Sequence, residues 1–67
     1  MISYRPLWET MKKKGITKYT LISRCGFSSH TIYNLNHGKG INLDTLEKLC
    51  KILDCTPNDI VEFLDEN

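Results

Sequence analysis

Ser29, His30, Tyr33 and Asn34 fall at the i, i+1, i+4 and i+5 positions of a helical pattern. The apolar pair Ile32 and Leu35 occupies the opposite side. All four are short or planar groups that donate or accept hydrogen bonds, as is needed to read base edges in the major groove. Asn to adenine is the best-defined such pairing. No Asp, Glu, Lys or Arg occurs from Phe27 to Gly38. A solvated helix face ordinarily carries such charges, and an acid there would be repelled by phosphate. Side chains suited to the nucleic-acid backbone flank this face: Thr17, Lys18, Ser28, Asn36, His37 and Lys39. Contacts of that kind set position and affinity, while the face of Ser29, His30, Tyr33 and Asn34 sets sequence.

Other chemistry finds little support. The pairs Cys25…His30 and Cys50…Cys55 lack CxxC spacing and follow no zinc-finger pattern. The three cysteines, an odd number, each sit in or beside an apolar helical pattern. They are expected as reduced, buried thiols acting as small hydrophobes. The chain has no paired-carboxylate cleft, no Ser/His/Asp set with a pocket and no Gly-rich phosphate loop. A core this small is expected to leave no room for the cavity of roughly 300 Å³ that small ligands occupy. The expectation is a protein that is not an enzyme, with no cofactor, metal or small-molecule ligand.

Caps and glycines divide the chain into five expected helices that position these groups. The first starts near Pro6 and ends at Gly15 after Lys12–Lys14, with Leu7, Trp8 and Met11 inward. The three lysines suit the negative end of its dipole and are left out of the site. Thr17 caps the second helix, with Ile16 placed to staple onto Leu21, and Gly26 ends it. Ser28 caps the third, with Phe27 stapling onto Ile32, and Gly38 ends it. Asn42 opens a fourth whose Leu43, Leu46, Leu49, Cys50 and Leu53 share one face. A fifth is expected from Thr56, with Pro57 at its first position, Asp59 near its positive end, and Ile60, Val61, Phe63 and Leu64 following. Only Met1–Tyr4 has any hint of a strand. The predicted architecture is an all-α, compact five-helix bundle, a single domain over 1–67 with a helix-turn-helix at about 17–37.

Charge is strongly polarised behind a formal net of +1. Residues 1–41 carry seven Lys or Arg against Glu9 alone, and residues 42–67 carry seven acids against Lys48 and Lys51. With 40% hydrophobic residues the chain reads as globular. It has no apolar run of membrane-spanning length and no signal-peptide pattern. A cytoplasmic, nucleoid-associated protein with no membrane contact is expected.

The segment Thr17-Lys18, Leu21-Ile22, Gly26-Phe27-Ser28, Ile32 and Leu35 to Gly38 resembles the helix-turn-helix of the Cro/cI-type (XRE) family, with its lambda-repressor-like fold. The tail from Leu43 to Ile60 resembles that family's fourth and fifth helices, so the likeness covers roughly residues 4–64. It implies base contacts from Ser29, His30 and Asn34, with Tyr33 a further candidate. Three positions depart from the family pattern. Lys18 stands where a Gln usually contacts phosphate and braces the recognition helix, and Lys lacks an acceptor. Ile22 replaces a small residue between the two helices. Helix three lacks the Arg that would contact guanine, which suggests modest affinity per copy and an A·T-leaning site.

The function implied is that of a small stand-alone bacterial or phage regulator, expected to be a repressor. It would bind double-stranded DNA as a homodimer with helix 28–36 in the major groove. Two alternatives stay open: a protein-interaction adaptor on the same fold (antitoxin-like, or an anti-repressor's target), motivated by the acidic half, and an accessory DNA-binding factor of a mobile element.

Overall fold

A computed structural model describes residues 1–65; Glu66 and Asn67, the end of the expected domain, lie outside the described residues. Four helices form: α1 (Arg5–Lys14), α2 (Lys18–Ser23), α3 (Ser29–Asn36) and α4 (Leu43–Leu53). A 3-10 turn (Pro57–Asp59) follows. Two short strands, β1 (Ile2–Ser3) and β2 (Glu62–Phe63), pair antiparallel with Ile2 opposite Phe63 and Ser3 opposite Glu62.

The caps work as their residue types dictate. Thr17, Ser28 and Asn42 each have extended backbone and accept a hydrogen bond from the N–H three residues on, at 3.1, 3.1 and 2.8 Å. Past α3, Gly38 takes the left-handed conformation at φ +67°, and the N–H of Lys39 closes the helix end onto Asn34 O at 2.9 Å. A side chain at Gly38 would also meet Ile2 O at 3.4 Å, so this turn packs closely on β1.

One core joins all four helices: Leu7 and Met11 of α1, Leu21 of α2, Ile32 and Leu35 of α3, Leu49 and Leu53 of α4, with Tyr4, Phe27 and Ile60. Both expected staple pairs belong to it, Ile16 and Trp8 being only partly buried at its edge. The cysteines are also half-buried against this core, not fully enclosed as expected.

Two further sequence-based expectations fail here. The fifth helix does not form: the chain makes one 3-10 turn, buries Ile60 completely and then enters β2. Nine residues from Thr56 to Leu64 make a marginal helix in water. Pairing with the N-terminus satisfies the same backbone groups, Leu64 N–H donating to Met1 O at 2.8 Å and the Met1 ammonium donating to Leu64 O at 2.9 Å. Val61, Glu62 and Phe63 also alternate apolar and polar, which a strand uses as readily as a helix. The second failure is Leu43, expected inward and found 81% exposed. Burial deepens along α4, from exposed Asn42 and Leu43 through half-buried Leu46 to buried Leu49 and Leu53. The first turn of α4 therefore lies at the edge of the core, where correct periodicity meets nothing to pack against.

Burial also shifts three titrating groups. Desolvation pushes the Tyr4 hydroxyl up from its ordinary 10.0, and the Cys50 and Cys55 thiols up from 9.0. Tyr4 donates its hydroxyl hydrogen to Lys39 O at 2.6 Å. With folded values above unfolded ones, the neutral forms favour folding. The stability they support is whole below about pH 9 and is lost as the pH rises through the shifted values. The thermal midpoint followed by circular dichroism should fall as the pH is raised above about 9; a midpoint that holds or climbs there would contradict the assignment.

Candidate nucleic-acid interface

The third helix owes its placement to Ile32 and Leu35, which are 6% and 2% exposed. With these two driven into the core, Ser29, His30 and Tyr33 are left exposed and Asn34 half-exposed. All four remain on one eight-residue helix, and no side-chain charge stands among them. The flanking residues Thr17, Lys18, Ser28, Asn36, His37 and Lys39 are exposed as well. Thr17 and Ser28 lie at the starts of α2 and α3, and Asn36, His37 and Lys39 at the end of α3.

Several of these groups already have internal partners, which limits what each can offer a ligand. The Thr17 and Ser28 hydroxyls serve as caps and also meet Thr20 Oγ1 and Thr31 Oγ1, each at 3.0 Å. The Tyr33 ring stacks on His37 with centroids 4.0 Å apart. Lys39 Nζ stands 5.5 Å from the same ring's centroid, within cation–π range. His37 donates Nδ1–H to Tyr33 O at 2.8 Å, which orients the imidazole. That leaves Nε2 as its second polar atom, an acceptor when neutral and a donor to an anion once protonated. Tyr33, His37 and Lys39 thus form one aromatic-cationic cluster at the C-terminal end of α3.

Lys18 is held in another way. Its ammonium lies 4.4 Å from the Trp8 ring centroid, so it braces against α1, where the family's Gln would brace the recognition helix. Sequence reasoning missed Lys48, counted only as part of the acidic half. The fold carries its ammonium to 4.6 Å from the Phe27 ring centroid, beside Gly26 at the turn between α2 and α3. Twenty-one positions separate Lys48 from Phe27, and no periodicity links them. The two share an open cleft of about 320 Å³ with Ser28, Thr31, Asn42, Asp44 and Thr45. Its volume reaches the size thought too large for this chain, but it is a surface depression outside the core.

The turn between α2 and α3 completes the geometry. Gly26 adopts φ +76°, and Phe27 N–H donates to Leu21 O at 3.1 Å, setting α3 against α2 around buried Leu21 and Phe27. The sequence matches the Cro/C1-type HTH DNA-binding domain over residues 6–66, nearly the whole chain. The chain belongs to that family. Among its relatives is the uncharacterized HTH-type transcriptional regulator YozG of Bacillus subtilis (strain 168), 36% identical over 55 residues. That likeness takes in 79% of this chain and just under two thirds, 66%, of the relative's length. The crystal structure of the transcriptional regulator VanUg (form II) superposes with a TM-score of 0.89 at 31% identity, covering 97% of this chain and 87% of that one.

Within this Cro/C1-type chain, the matched stretch takes in α2, the Gly26–Ser28 turn and α3. Among the described residues no three His, Cys, Asp or Glu side chains gather as a metal site would require, and no helix is long and apolar enough to cross a membrane.

Proposed function

We propose that this protein is a transcriptional repressor that binds double-stranded DNA sequence-specifically as a homodimer, with α3 in the major groove. Ser29, His30, Tyr33 and Asn34 contact bases. Thr17, Lys18, Ser28, Asn36, His37 and Lys39 contact the backbone. The observation that carries this reading is the uncharged, hydrogen-bonding outer face of α3 bordered by exposed Lys18 and Lys39. Each copy offers few base contacts, so two copies on half-sites about one helical turn apart are needed for useful specificity. Repression is the simpler outcome, because occluding a promoter requires binding alone. The protein acts in the cytoplasm, where its DNA is.

The test is fluorescence anisotropy with a labelled duplex from the gene's own upstream region, a scrambled duplex, and two salt concentrations. The upstream duplex should bind more tightly. If Lys18 and Lys39 supply two phosphate charges per copy, affinity should fall roughly 100-fold between 50 and 200 mM salt. Equal weak binding to both duplexes would sink the sequence-reading role at that operator and favour the protein-interaction adaptor.

A further inference from the structure

A second surface shares no residue with the proposed DNA contacts. Ile2, Ile41, Leu43, Leu46, Val61 and Phe63 line an apolar groove of about 170 Å³, closed by Tyr4 and Gly40. Two of its walls stand out into solvent: Leu43 is 81% and Phe63 79% exposed. We propose that this groove is the dimer contact, and that a second copy of this chain, related by a twofold axis, seats its own Phe63 and Leu43 there. The inference deepens the homodimer of the proposed regulator and rests on that reading for its purpose.

Four observations favour a second copy as the occupant. A twofold contact needs bump and hollow in one patch, because the same surface must serve both sides. Here projecting Phe63 and Leu43 border the hollow they would fill. None of the lining residues is charged, so nothing in the groove matches a nucleic acid or a charged peptide. Gly40 and Ile41 come four and five residues after the last residue of α3, so an axis at the groove draws the C-terminal ends of the two α3 helices together. Half-sites ~34 Å apart place each α3 about 17 Å from that axis, a distance that a body of 39 × 23 × 19 Å accommodates. Finally, area sets the strength. Phe63 and Leu43 would withdraw roughly 300 Å² per copy, and the groove walls must bring the total to the ~1,000 Å² where specific interfaces begin. An interface of that size lies at the weak, transient end of specific association.

The pairing of β1 with β2 sets which side chains line the groove. Ile2 and Phe63 are cross-strand partners and line the groove, whereas Ser3 and Glu62 face the other side, where Ser3 Oγ donates to Glu62 Oε2 at 3.0 Å. Outside the groove, Tyr19 on α2 is 77% exposed, nearly matching Leu43.

Sedimentation equilibrium of the full chain from about 10 to 500 µM tests the proposal, using wild type, Leu43→Lys, Phe63→Ser and Tyr19→Lys. Leu43 and Tyr19 are both too exposed for the change to threaten folding, and thermal melts verify this. Wild type and Tyr19→Lys should dimerise within about threefold of each other; Leu43→Lys and Phe63→Ser should be at least tenfold weaker. A wild type that stays monomeric throughout, or a Leu43→Lys that dimerises as Tyr19→Lys does, overturns the groove assignment. Titrating the upstream duplex in parallel keeps the two readings apart. A dimer lost in Leu43→Lys, with no duplex bound by wild type, supports the groove while removing the regulator. Salt-sensitive, sequence-dependent binding by a chain that never dimerises removes the groove and leaves the DNA reader.

Discussion

Replacing Leu35 by Ala is expected to destabilise the domain by about 2–5 kcal/mol, the range for truncating a buried leucine that leaves a cavity. Leu35 is 2% exposed and, with Ile32, is what holds α3 to the body. A core in a chain below about 70–80 residues seldom supplies more than ~3–5 kcal/mol of net stability. The loss is therefore comparable to the whole, and the variant should be largely unfolded at 37 °C with DNA binding gone. A melt followed by circular dichroism decides it. Each kcal/mol moves the midpoint of a domain this size by roughly 4–8 °C, so a variant melting within about 5 °C of wild type would show that α3 is held by something other than this contact.

Asn34→Ala should have the opposite character, leaving stability alone and removing recognition. Asn34 serves the fold through its backbone carbonyl, which accepts from His37 and Lys39 N–H at 3.3 and 2.9 Å; both bonds survive substitution. Ala is also the better helix former. If Asn34 pairs with adenine, its loss should remove about 1–3 kcal/mol per half-site, a weakening of roughly 5- to 150-fold for each half-site of the specific duplex. Binding to a scrambled duplex and the salt slope should not change. Lys39→Ala provides the contrast, with uniform weakening across sequences and a shallower salt slope. Anisotropy on both duplexes separates the two. An Asn34→Ala variant that folds normally and discriminates as well as wild type would remove Asn34 from the base-reading set.

The fit between helix and function explains why so much was legible beforehand. Caps act through the next three residues, so Thr17, Ser28 and Asn42 could be recognised without knowing what the helices touch. Leu7, Met11, Leu21, Ile32, Leu35, Leu49 and Leu53 are buried as their spacing required, because each lies on a helix with a neighbour across from it. The outward set Ser29, His30, Tyr33 and Asn34 followed as the remainder of α3. Its membership in one face was readable, whereas its contacts with bases stay a proposal.

What local pattern left open were choices between partners distant in the chain. The stretch Val61–Leu64 suits helix or strand, and only the nearness of Met1–Ser3 made it a strand. Leu43 obeys its helix's period yet faces solvent, because the core ends before it does. Lys18 rests on Trp8 and Lys48 on Phe27, pairings that depend on how the helices cross. The sequence by itself determined where α1 to α4 begin, most of the faces they bury and the family they resemble, since these follow from interactions within a few residues. The tertiary structure alone decided the terminal ribbon, the apolar groove beside it and the placement of the cations, since each needs segments tens of residues apart to meet.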